Sequence, residues 1–387
     1  MLARDLHDAI VWGERAVEVA EQRTAALLTV GTSRLLQGDP AGAGAIRRSI
    51  AAEEAGGRDQ GVARGWVNLG SAAGEMRDYA LAVEGLRSGI DHARARDLDA
   101  STHYGLAWLA RVAAEQGDWD GARALLEEVP LDALGVASIS TITGLTVRGL
   151  IGVRTGVPAE AAALTRAREL AAEAGDLQRT WPVTAALAER AWLDGDEAPG
   201  ELGDVYALAV ARAHPWATGE LGLWLHRTGT AVELPEVAAA PHRLHAAGRL
   251  RGAAREWASI GCPYEAASAL ADSDDVVDLQ EALAQLDALG AAPLAARVRG
   301  RLRRHGVRGV PRGPRAATAA HPAGLTPRQS EVLALLAIGL SDAQIAARLS
   351  ISPKTCGHHV SAVLSRLGAG TRTEAAHRAR ELGLLPN

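Results

Sequence analysis

Three observations predict an all-α chain. Turn-forming dipeptides recur about every 39 residues through its first half. Four short helix patterns follow one another between Thr326 and Leu382, each opened by a capping residue. Hydrophobic residues make up 48% of the chain and 42 residues are glycine, a composition that fits packed helices with frequent turns. The expected organisation is a helical-repeat solenoid over residues 1–304, a basic Pro/Gly linker over 305–323 and a small four-helix domain over 324–387.

The repeats come first. The turns are Gly38-Asp39, Arg77-Asp78, Gly117-Asp118, Gly156-Val157 and Gly195-Asp196, and their second residues step by 39, 40, 39 and 39. Four residues past each of the first four turns stands an alanine: Ala43, Ala82, Ala122 and Ala161. Seven past come Ile46, Leu125 and Leu164, with Leu86 one place late in the second repeat. A glycine that stops one helix, then a small residue where the next packs closely, describes stacked helix hairpins. The period lies between the 34 residues of tetratricopeptide repeats and the longer helical repeats. A tetratricopeptide-like solenoid is expected, its register blurring after Asp196. Such arrays bind a protein or peptide along a concave face, and sometimes a small effector. Most of the nine tryptophans fall in this region and are expected to be wedges between helices. His242 and His245 have no acid or cysteine nearby to complete a metal set, so structural roles are expected.

Composition narrows the function. Two cysteines, Cys262 and Cys356, cannot build a disulfide framework, which points to a reducing cytoplasm. The first residues, MLARDLHDAIVWGERAVEVAEQ, carry acids and do not read as a signal peptide. No apolar run reaches the ~18 residues of a membrane helix; the best candidate, Thr141 to Val153, contains Arg148. From Arg297 onward there are 15 basic against 4 acidic residues, a net of +11, which leaves −16 for the rest. A basic tail on an acidic body is a nucleic-acid signature for the tail alone. The eight arginines from Arg297 to Arg315 read equally as a helix end plus linker or as a DNA-contacting arm. Neither an enzyme nor a cofactor is expected, since no nucleophile elbow, His-Glu-x-x-His or Cys-x-x-Cys occurs. Lys354 is the only lysine, so no Gly-x-x-x-x-Gly-Lys phosphate loop can exist.

The four C-terminal helices are read from their caps. Thr326 with Gln329, Ser341 with Gln344 and Thr371 with Glu374 form capping boxes, while Ser352-Pro353 opens the third helix without one. Gly339, Gly368 and Gly383 fall at helix ends. Val332, Leu333, Leu336 and Ala337 face inward from the first helix, and Ile345, Ala346 and Leu349 from the second. On the third helix Cys356, Val360, Val363, Leu364 and Leu367 make an apolar stripe. The opposite side presents His358, Ser361, Ala362 and Ser365, flanked by Gly357 and His359. An anchored helix with a small polar outer face suits the major groove. Arg328, Arg348, Lys354, Arg366 and Arg372 stand around it for phosphate contacts.

This segment resembles the DNA-binding domain of LuxR-type transcriptional regulators. The likeness rests on Leu325-Thr326, Arg328, Glu331-Val332-Leu333, Gly339, Ser341, Ile345-Ala346, Leu349, Ser352-Pro353-Lys354-Thr355, His359, Leu367-Gly368 and Arg372. It implies a helix-turn-helix core from Ser341 through Val360. Base and phosphate contacts would fall on Lys354, Thr355, Gly357, His358 and Ser361, and dimerisation on about Thr373 to Leu382. Gly357 stands where a charged or polar side chain is usual, and Cys356 where valine is. Further upstream, Glu256-Trp257, Gly261-Cys262-Pro263-Tyr264-Glu265, Leu286 to Gly290 and Val307 to Gly313 resemble the hinge region of the large ATP-binding LuxR-type regulators. The ATPase half of such a regulator has no counterpart here. A transcriptional regulator that binds double-stranded DNA as a homodimer is therefore expected, with the repeats sensing a partner or effector. The alternative is an interaction scaffold whose DNA-binding domain has weak specificity.

Overall fold

The computed structural model describes residues 6–17, 23–132, 139–310, 323, 325–382, 384 and 385. Every regular element among them is a helix. The chain divides into two compact units, Met1–Val310 and Pro311–Asn387. Val307 and Val310 pack against the core of the first unit. Most of the Pro/Gly stretch, residues 311–322, lies outside the described residues, as does Gly383.

Each of the five turns joins two packed helices: Arg23–Leu36 to Ala41–Ala55, Asp59–Glu75 to Tyr79–Arg94, Asp99–Glu115 to Trp119–Glu127, Ile139–Thr155 to Pro158–Ala161, and Leu177–Asp194 to Leu202–Ala211. The first residue of every turn is left-handed, with φ between 66° and 85°. The aspartates that follow do the next job. Asp78 and Asp118 accept the N–H groups of Leu81 and Gly121 and so cap the second helix, while Asp39, one residue before the N-cap Pro40, accepts that of Ala41. Arg77 occupies a position that glycine holds in the other four turns. A side chain there costs roughly 1–2 kcal/mol, offset by an ion pair with Glu115 at 2.5 Å.

Ala82 and Ala122 are fully buried, Ala43 nearly so and Ala161 partly. Ile46, Leu86 and Leu164 are core residues. In the third repeat the buried position is Leu126, one place after the expected Leu125. Its helix starts directly after its aspartate cap, as does that of Leu86, so both take the later register. The first helices of successive hairpins also pack on one another, and Pro215–Arg227 extends that stack by a sixth. There the pairing fails. Gly229 makes the turn, but residues 228–239 carry no helix, which is the blurring seen after Asp196.

The hairpins close tightly at glycine. A Cβ on Gly85 would stand 2.7 Å from the Gly70 nitrogen and 2.9 Å from its Cα, and backbone cannot move aside. Gly85→Ala should therefore destabilise the first unit by about 1–3 kcal/mol, read as a lower thermal midpoint.

Helices Pro263–Ala271, Val276–Leu289 and Ala292–Arg304 return to the repeats. Space at Gly117 is bounded by Pro263 and Leu289, and space at Gly156 by Pro293. Ala292–Arg304 packs on Ile139–Thr155 and Leu177–Asp194. Most tryptophans are buried wedges, Trp108 and Trp181 completely, whereas Trp12 is exposed. His242 and His245 are buried. The first lies edge-on to Trp216 and Trp257, and the second bonds Asp272 at 2.8 Å. No described helix is long and apolar enough to cross a membrane.

Candidate nucleic-acid interface

The second unit is built from its caps. Thr326 Oγ1 accepts from Gln329 N–H at 3.2 Å while Gln329 Oε1 accepts from Thr326 N–H at 2.8 Å. Ser341 and Gln344 repeat the exchange at 3.4 and 2.9 Å. Ser352 Oγ accepts from Thr355 N–H at 3.0 Å. Thr371 accepts from Glu374 N–H at 3.2 Å, but the return half of that expected box is displaced. The Glu374 carboxylate takes the Gly370 N–H at 2.8 Å and the Arg378 guanidinium at 2.7 Å. The helix starts are Pro327–Ala337, Asp342–Arg348, Pro353–Arg366 and Arg372–Glu381.

Two small cores hold these helices. Val332, Leu336, Ile345, Ala346, Cys356, Val360 and Ala376 meet in one. Leu325, Leu333, Val363, Leu367, Ala375 and Ala379 meet in the other. The stripe of the third helix is thus buried as expected, with Leu364 at its margin. The Cys356 thiol lies 3.8 Å from Asp342, and burial and that carboxylate raise its pKa.

The outer side of the third helix is open. Lys354, Thr355, His358, Ser361 and Ser365 are exposed, and Gly357, His359 and Ala362 are half-buried. Thr355 Oγ1 lies 2.7 Å from Ser352 Oγ, so the first turn is ordered by its own hydroxyls. Nothing stands within 4 Å of a Cβ built on Gly357. The glycine here is not required by packing, unlike Gly85. Gly357→Ala should stabilise the second unit by about 1 kcal/mol, read in the thermal midpoint of the C-terminal transition.

The arginines divide into two groups. Arg348 and Arg366 are exposed near the two ends of the helix pair. Arg328 and Arg372 are committed inside the unit. Arg328 pairs with Glu331 at 2.6 Å and donates to the Leu349 carbonyl. Arg372 pairs with Asp342 at 2.5 Å and donates to the Leu340 carbonyl, tying the last helix to the start of the second. Sequence reasoning missed Asp342, because its partner lies 30 residues away and carries no local signal. The upstream basic run is also partly consumed. Arg299 pairs with Asp287 and Arg301 with Asp274, while Arg297 donates to the Trp192 carbonyl. These three belong to the body.

Residues 323–379 match the family described as bacterial regulatory proteins, luxR family. The DNA-binding transcriptional activator DevR/DosR of Mycobacterium tuberculosis (strain ATCC 25618 / H37Rv) is 44% identical over 59 residues. That match covers 15% of this chain and 27% of the activator's length. Among solved structures, a circular tandem repeat protein with novel repeat topology and enhanced subunit contact surfaces aligns over 98% of this chain and 84% of its own. It is 16% identical with a TM-score of 0.22, below the level of a shared fold. The caps, the buried stripe and the family match agree: the C-terminal unit is a LuxR-family helix-turn-helix domain.

Proposed function

We propose that this chain is a cytoplasmic DNA-binding transcriptional regulator, its repeat unit the sensor and its C-terminal unit the output. The observation that carries the reading is the segregation of the third helix, which is locked by Cys356, Val360 and Val363 on one side and exposes Lys354, Thr355, His358, Ser361 and Ser365 on the other. Its first turn aims Lys354 and Thr355 outward with the N-terminal end of the helix, a favourable place for a phosphate. His358, Ser361, Ala362 and Ser365, with Gly357, face the base edges. Arg348 and Arg366 contact the backbone. Arg328 and Arg372 add phosphate contacts only through guanidinium hydrogens not spent on Glu331 and Asp342. Pairing of two copies through Thr373 to Leu382 is supported by the exposure of Leu382, and presents two recognition helices about one helical turn apart.

A second reading, a scaffold whose domain holds DNA without reading it, is favoured by Gly357 and the small outer side chains. The two separate on the ratio of specific to random-DNA affinity, which is near one for the scaffold. Binding of the intact protein to duplex DNA across a salt series should fall linearly in log K against log salt, and Lys354→Ala with Thr355→Ala should weaken it at least ~10-fold. A flat salt response, or affinity untouched by the double substitution, overturns the regulator reading.

A further inference from the structure

The interior of the repeat unit is charged where a solenoid core would be aliphatic. A partly open cavity of about 60 Å³ lies between the first helices of the third to fifth hairpins, the Arg77 turn, Pro215–Arg227 and Pro263–Ala271. Its charged wall includes Arg77, Arg111, Glu115, Arg154, Glu220 and Glu265. Ile142, Val147, Leu150 and Ala186 form an apolar wall. Arg77, Arg154, Glu220 and Glu265 also line a second, smaller cavity of about 40 Å³, which carries Trp224 and Trp257.

The direct ion pairs are uneven. Arg77 at 2.5 Å and Arg111 at 2.9 Å share the one carboxylate of Glu115, leaving a guanidinium surplus. Glu189 at 3.1 Å and Glu265 at 3.0 Å share the one guanidinium of Arg154, leaving a carboxylate surplus. Glu220 accepts the Trp181 indole N–H at 2.7 Å and has no ion-pair partner among the described residues. Four polar atoms of lining residues also lack a hydrogen-bond partner among those residues. Two are donors, Arg77 Nε and Arg179 Nε, and two are acceptors, Gln178 Oε1 and Glu265 Oε2. Burial raises the pKa values of Glu220 and Glu265 against the opposing pull of Arg77 on both, of Arg111 on Glu220 and of Arg154 on Glu265. Arg77 is kept at a left-handed turn position in spite of its backbone cost, and such strain concentrates at functional sites.

We propose that this cavity binds a small zwitterion with an apolar body, a free α-amino acid or a very short peptide. Its carboxylate meets the guanidinium surplus at Arg77 and Arg111, and its ammonium meets Glu220 and Glu265. Its side chain lies against Ile142, Val147 and Leu150. Each pole of the ligand supplies the charge that the protein lacks at that pole. A phosphate or sugar would satisfy one surplus and leave the other. The inference rests on reading the repeats as a sensor and names the class of effector.

The test is calorimetric titration of the intact protein, without DNA, using L-leucine and the dipeptide Leu-Leu. N-acetyl-leucine and leucine amide serve as probes that each lack one charge. Binding of leucine or of Leu-Leu is expected, the stronger of the two identifying the source. Both single-charge probes should bind at least ~10-fold more weakly. Glu265→Gln preserves shape, so it should weaken binding by a similar factor while leaving the circular dichroism and the unliganded melting temperature near wild type. Absence of binding by both zwitterions up to about 10 mM, equal binding of the capped probes, or unchanged binding in Glu265→Gln each overturns the proposal. DNA binding is measured separately, so failure here and failure of the regulator reading are told apart.

Discussion

Replacing Arg154 by alanine should lower the stability of the repeat unit by about 3–5 kcal/mol, because it leaves buried carboxylates without their cation. Arg154 is 7% exposed and holds three groups at once. Its guanidinium bonds Glu189 at 3.1 Å and Glu265 at 3.0 Å, and lies 3.9 Å from the Tyr264 ring centroid. Burial opposes its charge, yet the two carboxylates and the Tyr264 oxygen hold it charged far above any working pH. Burial already holds the Glu265 pKa above the usual carboxylate value, and losing the Arg154 charge raises it further. A carboxyl shifted that way favours folding below the unfolded pKa and loses that contribution as pH rises through the folded one. The deficit against wild type should therefore be widest near pH 8 and narrow toward pH 5. Combining Arg154→Ala with Glu189→Gln should recover about 1 kcal/mol or more. A pH-independent deficit in thermal or denaturant unfolding would contradict the charge argument.

Trp181→Ala should be of similar size, about 3–5 kcal/mol, and on the order of 10 °C in melting temperature. The ring is fully buried, packs tilted by 53° against His214 at 4.9 Å between centroids and lies beneath the Arg111 guanidinium at 5.3 Å. Its N–H is the donor on Glu220. Removal opens a void and takes away that donor from a carboxylate whose pKa burial already raises. Trp181→Phe separates the two effects, since it fills most of the space without the N–H. It should fall between wild type and alanine. A phenylalanine variant as stable as wild type would assign the whole loss to packing.

Local chemistry made much of this molecule legible. A glycine able to take positive φ, followed by an aspartate that accepts a backbone N–H at the start of the next helix, marks a hairpin within two residues, so Gly38-Asp39 and Gly117-Asp118 could be read directly. Arg77-Asp78 was legible only through its spacing, because the backbone there works against the side chain. On the second unit, capping boxes and the stripe through Cys356, Val360 and Val363 placed the third helix and its outer face. Distant pairings were silent. Tyr79 approaches Cys262 at 3.1 Å across 183 positions, and neither residue announces the other. The charged cavity arose the same way. Arg77, Arg154, Glu220 and Glu265 come from four separate helices or turns, each with an ordinary amphipathic pattern. The commitment of Arg328 and Arg372 to internal partners was equally invisible, since an arginine bound for phosphate and one bound for aspartate read alike.

Whether the third helix reads sequence is decided by selecting duplexes bound by the intact protein from fragmented genomic DNA and measuring the selected site against random duplex at physiological salt. A recurrent site with two half-sites one helical turn apart, bound at least ~10³-fold tighter than random sequence, is the expected result. No enriched sequence and an affinity ratio near one would contradict it, and would leave the domain a holder of DNA that does not read it.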